Sequence, residues 1–286
     1  KGGREALETN RALYDVLNRA ALKAGLPQGW AALLETREDV AEMLALDEYI
    51  DLMIPRGSNA FVRHIIDNSR IPVMGHADGL CHVYVDQAAD LDMALSVVKD
   101  SKLQYVAVCN ACETLLVHEA AASAFLPRLA QTLENTKLIG CEKTRAIIPC
   151  EPATEADWDT EYLDRILSIR VVGSLEEAIE HVNAHGSKHT DAIVTGDEAA
   201  AAEFLSKVDS AGVFWNCSTR FADGYRYGFG AEVGVATGKI HARGPVGLEG
   251  LTIYKYKLLG QGHTVQAFAE GECCFTHRPL NEECPL

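Results

Sequence analysis

Apolar positions along the chain alternate between short continuous runs and longer stretches at helical spacing. The Ala/Leu/Glu-rich stretch 5–24 has the helical period and is stopped by Gly25 and Pro27; a second helix is predicted over 36–46, opened by Thr36 with acidic residues in its first turn. Tyr49 to Ile54 then predicts a strand, Pro55-Arg56-Gly57-Ser58 a turn, and 59–68 a helix. Ile71–Met74 and Cys81–Val85 are predicted strands around the polar loop Gly75-His76-Ala77-Asp78-Gly79, and 88–99 is helical. A new unit starts near residue 100, with the strand-like run Tyr105–Val108, the run Thr114–Val117, a helix over 119–133 and a strand over 136–139. Strands at 168–172, 191–195 and 211–215 alternate with helices at 174–184 and 197–208, the first of these carrying the Ser174/Glu177 spacing of a capping box. Alternation of this kind predicts a mostly parallel α/β sheet. Thr252–Lys257 alternates apolar and polar, as an exposed or oligomer-forming strand does, and Gly271–Leu286 is a polar, loose tail.

Charge narrows the partners. Over 286 residues, 26 Lys+Arg stand against 41 Asp+Glu, a net charge of −15 that repels phosphate backbones and anionic lipid, and no basic run overrides it. Neither nucleic acid nor a membrane surface is therefore an expected partner. No apolar stretch reaches the roughly 18 residues that span a bilayer, and the amino end has no signal-peptide core. Nine cysteines, an odd number scattered through a long chain, fit reduced thiols better than a disulfide framework, so a cytoplasmic location is expected.

Cys109-Asn110-Ala111-Cys112 is the sharpest local feature. A cysteine at a turn after an apolar run can have its thiolate stabilised by oriented N–H groups, the condition for a nucleophile at neutral pH. Free cysteine is also among the most buried residue types, and C-x-x-C spacing serves redox chemistry, so these readings stand side by side. Cys273, Cys274, His277 and Cys284 would complete only a poor tetrahedral cage with that pair, and no metal site is expected. The turn at Arg56, Gly57 and Ser58 offers N–H groups and a helix end to a phosphate, although G-x-G-x-x-G is absent. His185 to Asp191 is dense in donors suited to an anionic substrate.

The segment Cys109-Asn110-Ala111-Cys112-Glu113-Thr114-Leu115-Leu116-Val117-His118 resembles the active-site segment of the γ-glutamyl phosphate reductases (glutamate-5-semialdehyde dehydrogenases), C-N-A-x-E-T-L-L-V. Four further stretches agree with that family: Asp51–Ser58, Pro72–Gly79, Ala178 through Ile193, and Ser218–Gly224 running to Gly244–Leu251. The resemblance extends to about Gly262 and leaves the Cys-rich tail outside it. It implies an α/β, aldehyde-dehydrogenase-like fold of two α/β domains with a small oligomerisation strand element. Residues 1–100 would be part of the NADPH-binding domain, 101–235 the catalytic domain, 236–270 a return to the cofactor domain with the oligomerisation strand, and 271–286 the tail.

The implied reaction is NADPH-dependent reduction of the small acyl phosphate L-glutamyl 5-phosphate to L-glutamate 5-semialdehyde and phosphate, in L-proline biosynthesis, by a homo-oligomer. Cys109 would be the nucleophile, leaving a thioester that accepts hydride. Gly75–Gly79 stands where the wider superfamily carries its E-L-G-G-K base, which suits a thioester that must not meet activated water. Glu161 is similar to the glutamate that holds the nicotinamide ribose, with Arg56, Gly57 and Ser58 as further cofactor contacts; Asn110, Lys188, His189 and Arg220 are the candidates for the substrate. The sequence departs from the pattern in two ways. Cys112 replaces an apolar residue, so a disulfide with Cys109 is expected under oxidation. The chain also starts inside an R-G-G-x-E-A-like segment with Lys1 in the Arg position, so it reads as a fragment whose cofactor domain lacks its amino-terminal part.

Overall fold

Continuous apolar runs belong to strands covered on both faces. In β1 (Cys81–Val85), β2 (Cys112–His118) and β6 (Thr190–Val194) every residue is buried. The computed structural model describes residues 2–279. With β3 (Lys137–Gly140), β4 (Glu151–Pro152), β5 (Ile166–Val172) and β7 (Gly212–Trp215), these runs form a seven-stranded sheet in the order β4-β3-β5-β2-β1-β6-β7. All its pairings are parallel, and in the middle Val83 stands opposite Leu115 on one side and Ala192 on the other.

Side chains alternate between the two faces with period two. Val83, Val85, Leu115 and Val117 share one core with α4 (Leu91–Leu103) and α5 (Glu119–Thr132), through Val97, Val98, Phe125 and Leu129. Tyr84, Leu116 and Ile193 face the other way, onto Ile179 and Val182 of α7 (Leu175–His185) and Phe204 of α8 (Glu198–Lys207). The helices start where their caps stand. Asp90 accepts from the N–H groups of Asp92 and Met93, Ser174 from Glu177, and Asp197 from Ala199 and Ala200.

Ahead of the sheet, α1 (Leu7–Lys23) is followed by α2 (Arg37–Met43), which opens on a complete Thr36/Asp39 capping box, and by α3 (Asn59–Asn68). Leu44, Met53, Ile65 and Ile71 form a separate small core. The strands expected at 49–54 and 71–74 reduce to a single parallel bridge, Met53 with Val73, fixed by Met53 N–H to Pro72 O at 2.9 Å and Met74 N–H to Met53 O at 2.8 Å. An antiparallel ribbon of β8 (Gly234–Ala236) and β9 (Gly244–Val246) packs Ala236 and Val246 on Met74.

Two expected strands are not formed. Tyr105–Val108 is irregular and none of its residues is buried, Tyr105 being 56% exposed. Thr252–Lys257 lies in no strand either; Ile253, Tyr254 and Tyr256 are 95%, 82% and 88% exposed. That segment opens a second unit starting at Thr252, which contains α9 (Val265–Ala269) and the stacked rings of Phe268 and Phe275, with centroids 4.5 Å apart. Cys284 lies outside the described residues. The sheet takes in β1 and is covered by α4, so a boundary at residue 100 passes through one hydrogen-bonded layer. Among the described residues no helix is long and apolar enough to cross a membrane.

Candidate active site

Parallel strands bring the residues that precede them to one edge of the sheet. His76 and Gly79 precede β1, Cys109 and Asn110 precede β2, Glu161 precedes β5, and Lys188 and His189 precede β6. Open α/β sheets ordinarily take ligands at the carboxyl ends of their strands; here the candidate chemistry gathers at the amino ends.

Gly79 fixes how the first two loops meet. A Cβ at this position would lie 2.2 Å from the carbonyl oxygen of Cys109 and 2.4 Å from its Cα, so only glycine permits the approach. The thiol of buried Cys81 donates to the same carbonyl at 3.3 Å. The ligand atoms of His76, Cys109 and His189 all lie within 4.8 Å of one another. Nδ1 of His76 is 2.9 Å from Val235 O, which can only accept, so Nδ1 is the donor. In fully buried His189, Nδ1 meets Thr190 Oγ1 at 2.9 Å and Nε2 has no hydrogen-bond partner. The two rings meet edge to face at 5.0 Å.

Burial pushes the Cys109 thiol up to about 11; the carboxylates of Glu161 and Glu232 raise it further and Arg220 opposes them. The depressed thiol expected from a strand-end turn is therefore not found, because burial and then the Glu161 and Glu232 carboxylates outweigh the backbone hydrogen bond at Cys109. Burial, followed by the neighbouring His76, pushes His189 down to about 3, so it is a neutral base. Cys112, one turn on, is turned into the apolar core with Val83 and Leu115; its thiol donates to Thr114 O at 3.3 Å, and burial pushes it up to about 12. Both thiols are free, Cys112 fully buried in the core and Cys109 half-buried.

Of the expected cofactor contacts, Glu161 is held by Asn59, the first residue of α3, whose amide donates to Glu161 Oε2 at 2.9 Å and to Asp78 Oδ1 at 2.7 Å. Ser58 caps α3 by accepting from Phe61 N–H at 3.4 Å, Gly57 lies against the Phe61 ring, and the Arg56 guanidinium is spent on the carbonyls of Pro55 and Val233. Of the expected substrate contacts, Asn110 donates to Ala222 O at 2.9 Å and leaves its own Oδ1 buried without a partner. Arg220 donates to Gln104 at 2.9 Å, and burial lowers its pKa. Lys188 departs from the group. Its backbone has φ 64°, and its ammonium points to Asp209 at 3.6 Å, a carboxylate also met by Lys239 and Arg243.

Sequence reasoning left three participants unassigned: His76, Glu232, and a buried ion pair behind the site. Lys102 Nζ is 2.6 Å from Glu113 Oε2, both side chains are fully buried, and burial pushes Glu113 up to about 7 against the pull of Lys102.

An aldehyde dehydrogenase family model matches residues 8–148. The gamma-glutamyl phosphate reductase of Acetivibrio thermocellus is 62% identical over 288 residues, which take in 100% of this chain and 67% of that protein. The chain belongs to the gamma-glutamyl phosphate reductase family. The family's protein in Pelotomaculum thermopropionicum is 62% identical over 99% of this chain and 66% of its own. The crystal structure of gamma-glutamyl phosphate reductase from Thermotoga maritima superposes with a TM-score of 0.89 at 43% identity, covering 92% of this chain and 65% of that one. The fold is thus aldehyde-dehydrogenase-like, as its motifs imply, and the chain spans about two thirds of the length of the curated relatives it matches.

Proposed function

We propose that this gamma-glutamyl phosphate reductase family chain carries the acyl-transfer centre for NADPH-dependent reduction of L-glutamyl 5-phosphate to L-glutamate 5-semialdehyde and phosphate. One observation carries the reading: the sulfur of Cys109, at the motif's cysteine position, lies within 4.8 Å of ring nitrogens of His76 and His189. A thiol held at about 11 needs a base, and a neutral imidazole is one. Sulfur attacks the acyl phosphate carbonyl as its proton passes to imidazole, the single bond from the acyl carbon to the phosphate oxygen breaks, phosphate leaves, and the acyl group stays on Cys109 as a thioester. Arg220 and the Asn110 amide are the groups to hold the substrate's anionic oxygens.

The residues present fit a nicotinamide ribose at one point. The Glu161 carboxylate acts on Cys109, is positioned by Asn59, and can accept from ribose hydroxyls. Residues so placed would hold a nicotinamide ribose, and the chemistry such a cofactor would supply is hydride for release of the acyl group as aldehyde. Arg56 and Ser58, already engaged with backbone, shape the α3 entry instead. The test is phosphate-dependent oxidation of glutamate 5-semialdehyde by NADP⁺, the reverse reaction. Cys109→Ser should lose at least roughly 10²- to 10⁴-fold and Cys112→Ala little; a dead Cys112→Ala with active Cys109→Ser would overturn the assignment. The segment 252–257 we read as the homo-oligomer contact, its exposed Ile253, Tyr254 and Tyr256 waiting for a partner edge. Eight free thiols among the described residues support a reducing, cytoplasmic setting.

A further inference from the structure

Two histidines and a cysteine whose ligand atoms crowd within 4.8 Å form the donor set of a borderline-soft divalent cation. Around a tetrahedral ion with bonds of about 2.0–2.3 Å, such atoms would stand roughly 3.5 Å apart, so closure needs an inward shift of about 1 Å. Three features of the structure favour an ion. Nε2 of His189 is buried with no partner, an arrangement that normally costs stability. Each imidazole also has its other nitrogen engaged, His76 by Val235 O and His189 by Thr190 Oγ1, which is how metal-binding histidines are oriented and their tautomer fixed. Finally, Glu161 and Glu232 set a negative field at the sulfur that a dication would relieve, against the single opposing charge of Arg220.

We propose that His76, Cys109 and His189 form a zinc-binding site in which the ion takes the Cys109 sulfur as thiolate, releases one proton, and so blocks the nucleophile reversibly. Binding follows from the geometry alone, whereas blockade rests on the acyl-transfer reading above. The fourth coordination position is left to solvent or to an anionic substrate group.

The probe is cobalt(II), added to metal-free reduced protein and then displaced by zinc. A single equivalent should give the thiolate-to-cobalt charge-transfer band of the near ultraviolet. Cys109→Ser should abolish that band, and His76→Asn and His189→Asn should each weaken cobalt binding roughly tenfold or more. His76 is only half-buried, so its variant keeps the test open if His189→Asn fails to fold. A Cys273→Ser/Cys274→Ser double variant should leave the band intact. The proposal is overturned if no band forms, if the band survives Cys109→Ser, or if it vanishes with the tail cysteines. A band on a chain that performs no acyl transfer keeps the metal site and removes the acyl-transfer reading; activity with no band does the reverse.

Discussion

Replacing Lys102 by Met would leave Glu113 alone in the core behind the candidate site, and the consequence can be worked from the geometry. At 2.6 Å and an effective dielectric of about 20, the pair attracts with roughly 6 kcal/mol. Removing Lys102 also removes its own desolvation cost, which leaves a net loss in the range of about 3–5 kcal/mol found when one partner of a buried pair is deleted. In a chain of this size that lowers Tm by about 6–20 °C. The deficit depends on pH. Glu113 titrates at about 7 in the folded chain against 4.5 for its ordinary value, so the folded state holds this proton more tightly than the unfolded one. Its contribution to stability is full below 4.5 and is lost as pH rises through 7. Without Lys102 the carboxyl moves higher still, so the loss continues into the alkaline range and the gap between variant and parent widens there. Scanning calorimetry at pH 5.5 and 8 should find the larger deficit at pH 8, and Lys102→Met/Glu113→Leu should recover most of it. Equal deficits at both pH values, or a double variant no better than the single, would refute the reasoning.

Three further outcomes are expected. The iodoacetamide alkylation rate of Cys109 should climb with pH to a midpoint near 11, with Glu161→Gln lowering that midpoint; a midpoint near pH 8 would contradict the burial and carboxylate field at the sulfur. Gly79→Ala forces the Cys109 backbone aside and should cost about 1–3 kcal/mol in a denaturant titration while slowing Cys109 alkylation; an unchanged midpoint would show that the two loops are not in contact. Tyr254→Pro should shift the mass seen by light scattering toward monomer if 252–257 pairs with a second copy, and an unchanged mass excludes that segment as the contact.

Local signals carried the fold where they were chemically complete. The Ser174/Glu177 spacing and the Thr36 start place α7 and α2 because a side-chain oxygen must satisfy a helix's first N–H groups. Continuous apolar runs identify β1, β2 and β6 because both faces are covered. Tyr105–Val108 misleads because apolar character alone does not record burial, and this run stays half-buried to exposed outside the sheet. At the site, Cys109 is legible from its motif. His76 is not, since its role depends on meeting His189, which precedes a different strand. Glu113 sits inside the motif itself, yet its raised pKa comes from Lys102 on α4 and from burial, neither of which a linear pattern carries. Lys188 reads as a substrate cation in sequence; only its left-handed backbone turns it away to Asp209.

The interior placement of β1 has a consequence for biosynthesis. Its two neighbours arrive at very different times: β2 follows closely, whereas the residues of β6 that pair with Val83–Val85 are Ala192–Val194. At the ribosome's about 5–20 residues per second, the gap of about a hundred residues leaves one edge of this interior strand bare for roughly 5–20 s. During that interval the nascent chain presents a flat, apolar, unpaired ladder, the template on which strands of other chains add. Truncations ending between β2 and β6 should therefore accumulate in inclusion bodies or on holdase chaperones, and solubility should return only once Val194 has been synthesised.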